Sequence, residues 1–471
     1  MLTILPITSV PVVAQLLGSD SVASPSILIL ALLVIIWLVP WIVSGKPLPY
    51  QTIPLLVFVC VVLISSALSF FIEIPPYKGI PIFRNDFHAL ATLAIGVCFF
   101  FIASTFPQDN GLLKKSVQVI NWSGFIMLLW GVAQGIAWFG FGHYPNWMFR
   151  FQGFISAGTL YRQRVTALAL EPSWLAHELN MLYFPIWLSA TVKKQSFHSF
   201  RIWKFSFENL LFTGGVIALL LTFSRIGLLA FLLMCGYLLL KMHAWIVEKI
   251  GNKLMKNRRT KNKGKTHKRV AFSISAILVV VYMVTIAIGL IIFSHIDPRM
   301  ASLFDFSLNK ENSILKYFND LRFGDRIIYW MAGWETFGAY PFFGVGLGNA
   351  GFFFPESITP YGWTLLEVRK LIHRTSILLN IKSLWIRLLA ETGIIGFSFF
   401  IGWLYSQARI FVQKDNSSKN INNTLCLAGI FVLCALLAEG FSIDSFAMPY
   451  LWVSLGLATA ACSSKRKSDL N

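Results

Sequence analysis

The chain reads as an all-α polytopic membrane protein of about 11–12 transmembrane helices with a large extracytoplasmic loop domain. Three observations predict this. Of its 471 residues, 56% are hydrophobic and only 13% charged, against about 25% charged in soluble domains. Mean hydropathy is +0.66. The apolar runs recur from end to end and are continuous rather than alternating, which fits helices and not a barrel.

The expected spans, in chain order, are 24–44, 52–72, 86–105, 117–139, 174–192, 209–224, 226–241, 271–293, 384–404, 424–440 and 447–463. Residues 1–18 are apolar but short and interrupted by prolines. They stand as an optional further span, and without a basic leader they make a poor signal peptide. All six cysteines fall in or beside apolar spans, none with ligand spacing, so buried free thiols are expected.

The positive-inside rule orients the spans. Residues 241–269 hold eleven Lys/Arg and one Glu, and are read as a basic cytoplasmic loop. Lys193, Lys194, Arg201 and Lys204 mark another cytoplasmic loop. The net charge of +19 is thus an orientation signal beside anionic lipid, not a nucleic-acid site. Two cytoplasmic flanks require an even number of crossings between them. Leu210 to Leu240, whose only charge is Arg225, is therefore read as a hairpin of two short helices. Each arm would have about 15 residues, or about 22 Å, short of the roughly 30 Å hydrocarbon core. Arg225 would then lie below the outer surface. The domain reading is 1–293 for the first helices and loops, 294–383 for an extracytoplasmic cap, and 384–471 for the last helices and the cytoplasmic tail. The cap segment is nearly balanced, with nine basic and eight acidic residues.

Motifs collect on the outer side. In "YRQRVTALALEPSWLAHELN", Pro172 suits the first helical turn and Glu171 the helix N-terminus. Glu171 is either a capping acid or a functional one. His177, one turn further, reads as a core histidine. In "LRFGDRIIYWMAGWETFGAYPFFGVGLGNAGFF", Arg322 and Arg326 share a face if helical, and Trp330 and Trp334 continue the spacing. The glycines at 344, 346 and 348 lack the flanking strand and later acid of a dinucleotide loop, so a tight turn packing on the bilayer surface is expected. In "IHRTSILLNIKSLWIRLLAETGIIGF", Arg387 and Glu391 are four apart and positioned to pair.

The outer face therefore carries Arg162, Arg164, Arg225, Arg322, Arg326, Arg374 and Lys382. Outer cations run against the topology bias. Guanidinium groups bind phosphate bidentately, so the expected ligand is an anion, a lipid-linked diphosphate above all. A small-anion transporter with Arg225 as its site is the rival from another class. It would need paired broken helices in two similar halves, and only one short hairpin is visible. A non-catalytic assembly scaffold would leave the outer arginines surplus.

At "TFSRIG", "DRIIYWMAGWETFGAYPFFGVGLGNAGF" and "LWIRLLAETGIIGF" the chain resembles the O-antigen ligase and O-antigen (exopolysaccharide) polymerase superfamily of bacterial membrane glycosyltransferases. The resemblance spans about 150 to 460, and "ALEPSWLAHELN" is similar to a motif preceding the hairpin in polysaccharide polymerases. It implies transfer of an oligosaccharide from a polyprenyl diphosphate to an acceptor sugar, with neither metal nor other cofactor. The reaction would occur on the periplasmic side of the bacterial inner membrane, with a flippase and a chain-length regulator as further partners. By position, Arg225 and Arg326 would hold the diphosphate, joined by Arg164, Arg322 and Lys382. Ligases carry His-Asn where this chain has Lys382-Ser383, which favours the polymerase branch; transfer to lipid A–core is the alternative. Direct displacement would invert the anomeric centre. Glu171, then His373, then Asp325 are the candidate bases, and Trp330 and Trp334 the candidate sugar-stacking residues, unless they are interfacial anchors.

Overall fold

In a computed structural model the described residues are 1–13, 24–256, 271–276, 278, 282, 284, 291, 324–375, 377–414 and 420–468. Seven described helices are long and apolar enough to cross a membrane. They are α1 (Ser26–Val43), α2 (Thr52–Phe71), α3 (Ile82–Thr105), α4 (Asn110–Gly140), α8 (Arg225–Ile250, helical on to Lys256), α11 (Leu384–Gln413, helical to Lys414) and α12 (Ile421–Glu439). Between them come α5 (Asn146–Ile155), α6 (172–193), the 16-residue α7 (Phe207–Thr222), α9 (Gly324–Ala339) and α10 (Leu366–Arg374). The last helix is α13 (Pro449–Ser468). Most of the expected 271–293 span and the 292–323 stretch lie outside the described residues. Residues 1–13 hold a short 3-10 turn at Leu2–Ile4 and three helical residues at 11–13. They are tied to the loop before α6, where Leu170 N donates to Thr8 Oγ1 at 2.8 Å and Ala157 N to Ser9 O at 3.0 Å.

The helix starts follow from their caps. Asp109 accepts Leu112 N at 2.8 Å ahead of α4, and Ser206 accepts Asn209 N at 3.4 Å ahead of α7. Between α6 and α7 a two-residue antiparallel ladder pairs Arg201 with Ser206 and Ile202 with Phe205. α6 is interrupted by a π turn, Leu179–Tyr183.

The chain forms two compact units. The first comprises Met1–Leu232, Trp330–Ser357 and Ser376–Asn471; the second comprises Leu233–Tyr329 and Ile358–Thr375. In the first, α13 lies along α3 and α12, and α11 along α2. Its core carries buried large rings, among them Trp403 stacked on Trp452 at 5.3 Å. In the second, His243 bonds Ser275 at 3.1 Å. α10 there buries Val368 and Ile372 and turns its charged residues outward.

Three sequence expectations change here. Only the first hairpin arm is short: α8 stays helical for 32 residues. The periodicity ended the arm where charge begins, but the helix continues with its polar residues exposed. Cys426 and Cys462 are joined in a disulfide across α12 and α13, with Cα atoms 6.0 Å apart; residues 36 apart in sequence meet only through helix packing. The glycine-rich segment is not a surface turn. Gly344, Val345, Gly346 and Leu347 are buried, because α11 breaks at Gly393 (φ +62°) and the segment fills the break. Val345 N donates to Ala390 O at 3.1 Å, Gly346 N to Glu391 O at 3.0 Å and Ile394 N to Pro341 O at 2.8 Å. The backbone groups that α11 leaves open are thus satisfied by an inserted run of turns, as a low-dielectric setting demands. Arg387 and Glu391 do pair, at 2.8 Å, one turn above that break.

Candidate functional site

The hairpin turn is built by two residues. Phe223 adopts φ +49° and ends α7. Ser224 then opens α8: its backbone carbonyl accepts Leu228 N at 2.9 Å and its hydroxyl accepts Gly227 N at 3.3 Å. That is N-cap chemistry, and it makes Arg225 the first residue of α8. A cation there faces the positive end of the helix dipole, which costs rather than stabilises, about 0.3–1 kcal/mol. The same two positive contributions favour a bound anion. Arg225 is partly exposed.

Arg164 reaches the same turn. Its Nε donates to Thr222 O at 2.8 Å, and Val165 N donates to Leu221 O at 3.0 Å. The segment before α6 thereby caps the C-terminal carbonyls of α7 and brings a second guanidinium to the turn. Glu171 sits at the N-cap position of α6 but makes no side-chain cap. Its carboxylate is exposed and accepts Ser173 Oγ at 3.2 Å. Its neighbours are visible in Tyr161, whose phenol is pushed up from its usual pKa by burial first and then by the Glu171 carboxylate, with Arg164 pulling the other way. Glu171, Tyr161 and Arg164 therefore share one patch beside the hairpin turn.

Beneath it lies a buried polar cluster that joins three segments. α6 and α8 approach closely at Gly227, where a Cβ would stand 2.6 Å from that of Ala176. Asn180 Nδ2 donates to Gly227 O at 2.8 Å and to Glu439 Oε1 at 2.7 Å. His177 Nδ1 donates to the other oxygen of Glu439. His177, Asn180 and Glu439 are all buried. Gly440, next in the chain, accepts Leu384 N at 2.7 Å and Ser383 Oγ at 3.2 Å. The Lys382-Ser383 turn, with Lys382 at φ +53°, is so attached to the same frame. Trp330 joins it, with its indole N–H 3.5 Å from Lys382 O and its ring 5.6 Å from Phe441.

The first unit thus collects Arg164, Glu171, Arg225, Lys382 and Trp330 around one frame. Trp334 is exposed and stands 5.4 Å from Phe337. Asp325 and Arg326 open α9 within the second unit and are partly exposed. His373 is an exposed residue of α10 there, 6.0 Å from Trp363. Arg322 lies outside the described residues. Sequence reasoning missed Glu439; it read His177 as a core histidine, and the structure buries His177 with Glu439 as its partner. The available signal was that Glu439 is the only charge between Ile421 and Ile443; an ionisable group in such a run is rarely idle.

These features define a polytopic helical membrane protein with cationic turns held on a buried polar frame. Residues 210–401 match the family model described as O-antigen ligase. The match runs from α7 through the hairpin, α9 and the glycine-rich insert into the broken α11. Over that part, about two fifths of the chain, the protein is similar to the O-antigen ligase and O-antigen polymerase superfamily of membrane glycosyltransferases. No curated protein matches the chain.

Proposed function

We propose that the protein polymerises oligosaccharide repeats carried on a polyprenyl diphosphate, at the outer side of the bacterial cytoplasmic membrane. The observation that carries this is Arg225 at the opening of α8, with Arg164 bonded to the same turn. Guanidinium groups and a helix N-terminus both bind phosphate, and an apolar surround suits the lipid tail.

The acceptor hydroxyl attacks the anomeric carbon of the lipid-linked glycan. The bond from that carbon to the diphosphate oxygen breaks, and the electron pair leaves with the polyprenyl diphosphate. Arg225, Arg164 and Lys382, all in the first unit, meet the developing charge, so that fixed cations take the part a metal plays elsewhere. Glu171 receives the hydroxyl proton: its carboxylate is exposed and not spent on capping. One displacement inverts the anomeric centre. Trp330 is the favoured sugar platform, being fixed beside Lys382 and Phe441. Lys382-Ser383 in place of His-Asn supports the polymerase over the ligase.

The test is glycan analysis of a deletion strain complemented with Arg225→Ala or Glu171→Gln. Single repeats without long chains support polymerisation. Normal polymer unattached to its lipid anchor supports ligation to lipid A–core instead. Unchanged glycans at normal expression would overturn both.

A further inference from the structure

The clamp residues Arg225 and Lys382 stand on turns 157 positions apart in sequence, and both turns are tied to the end of α12. Asn180 reaches from Glu439 to Gly227 O, in the first turn of the helix that Arg225 opens. Gly440, bonded to Glu439 through the chain, takes both Ser383 Oγ and Leu384 N. His177 holds the second oxygen of Glu439. Both carboxylate oxygens and two segments are thus fixed around one residue with no exposed surface. A buried carboxylate in an apolar helix is costly unless fully bonded. Here its bonds run to the elements that carry the cations.

We infer that Glu439, with His177 and Asn180, is a positioning unit that sets the spacing between the Arg225 turn and the Lys382-Ser383 turn. This rests on the reading that those cations bind the diphosphate. None of the three needs to touch substrate. Each acts through geometry, because charge stabilisation of a leaving group depends on cations already in place.

The experiment uses the full chain in proteoliposomes with a synthetic polyprenyl-diphosphate-linked oligosaccharide. Asn180→Ala, at normal expression and unfolding midpoint, should lower kcat about tenfold or more while KM moves little. The same change on an Arg225→Lys background should cost less than about threefold, because the geometry it protects is already lost. Glu439→Gln should recover most of what Glu439→Ala loses. A glutamine can accept from Asn180 and donate to the other tautomer of His177. Equal losses from Asn180→Ala on both backgrounds would overturn the positioning role and leave the site reading standing. A Glu439→Gln variant that folds and binds polyprenyl diphosphate but does not turn over would also overturn it, since a charge or proton role would then be required. Full turnover by Arg225→Ala would remove the site reading itself.

Discussion

Gly393→Ala tests whether the glycine-rich segment is the insert that completes α11. Gly393 sits at φ +62°, and an added Cβ would lie 2.1 Å from Phe342 O, 2.3 Å from Phe342 C and 2.6 Å from Phe343 N. All three are backbone atoms, so no rotamer change relieves the contact. With ψ at −171° the backbone lies in a region open essentially to glycine alone, which costs alanine about 1–3 kcal/mol. Overpacking adds about 1–3 kcal/mol. Moving the Phe342 carbonyl also weakens its 3.3 Å bond from Ile395 N. A loss of about 3 kcal/mol follows, which for a chain of this size lowers the unfolding midpoint by about 3–5 °C. Gly402→Ala, on the same helix, is the control: nothing lies within 4 Å of its Cβ position. There the helix gains about 0.5–1 kcal/mol. Thermal unfolding of purified protein in one detergent, with both variants in parallel, gives the comparison. Equal midpoints for the two would refute the insertion as the reason for the glycine.

Other consequences can be measured in the same preparation. Gly227→Leu should separate α6 from α8 and abolish transfer, because a side chain there meets Ala176; retained turnover would show the approach to be dispensable. Removing one partner of the Arg387–Glu391 pair, as in Glu391→Ala, should destabilise by about 3 kcal/mol, whereas replacing both with methionine should cost less. A double variant less stable than the single would contradict this. Alkylation in denaturant should label four cysteines before reduction, Cys60, Cys98, Cys235 and Cys434, and all six afterwards; six labelled without reductant would refute the disulfide. A reporter fused after Arg225 should behave as extracytoplasmic and one at Lys261 as cytoplasmic. A cytoplasmic signal after Arg225 would remove the outer placement of the hairpin.

Several local features were legible before any coordinates. Ser224 and Arg225 announce a helix boundary inside an apolar run, and α8 begins there because serine caps it. Arg387 and Glu391 announce their pair because i,i+4 spacing is fixed by one helix. Glu171 was placed at a helix N-terminus, but whether it caps could not be read, since that depends on a rotamer which Ser173 competes for. The glycines at 344, 346 and 348 were visible as a constraint, yet their purpose was not: the partner is a break at Gly393, some 50 residues later.

The sequence by itself determined the membrane class, the charge bias of the loops and the short first arm of the hairpin, because hydropathy, charge and helix period are local properties of the chain. Only the tertiary structure decided that α11 is completed by the inserted glycine-rich turns and that Cys426 meets Cys462. It alone brought His177, Asn180, Gly227 and Glu439 together from three helices. Those are contacts between residues up to 262 positions apart. Long-range contacts are selected by the packing of whole helices and by the need to satisfy every buried polar group, and no local pattern encodes which helix will supply the partner.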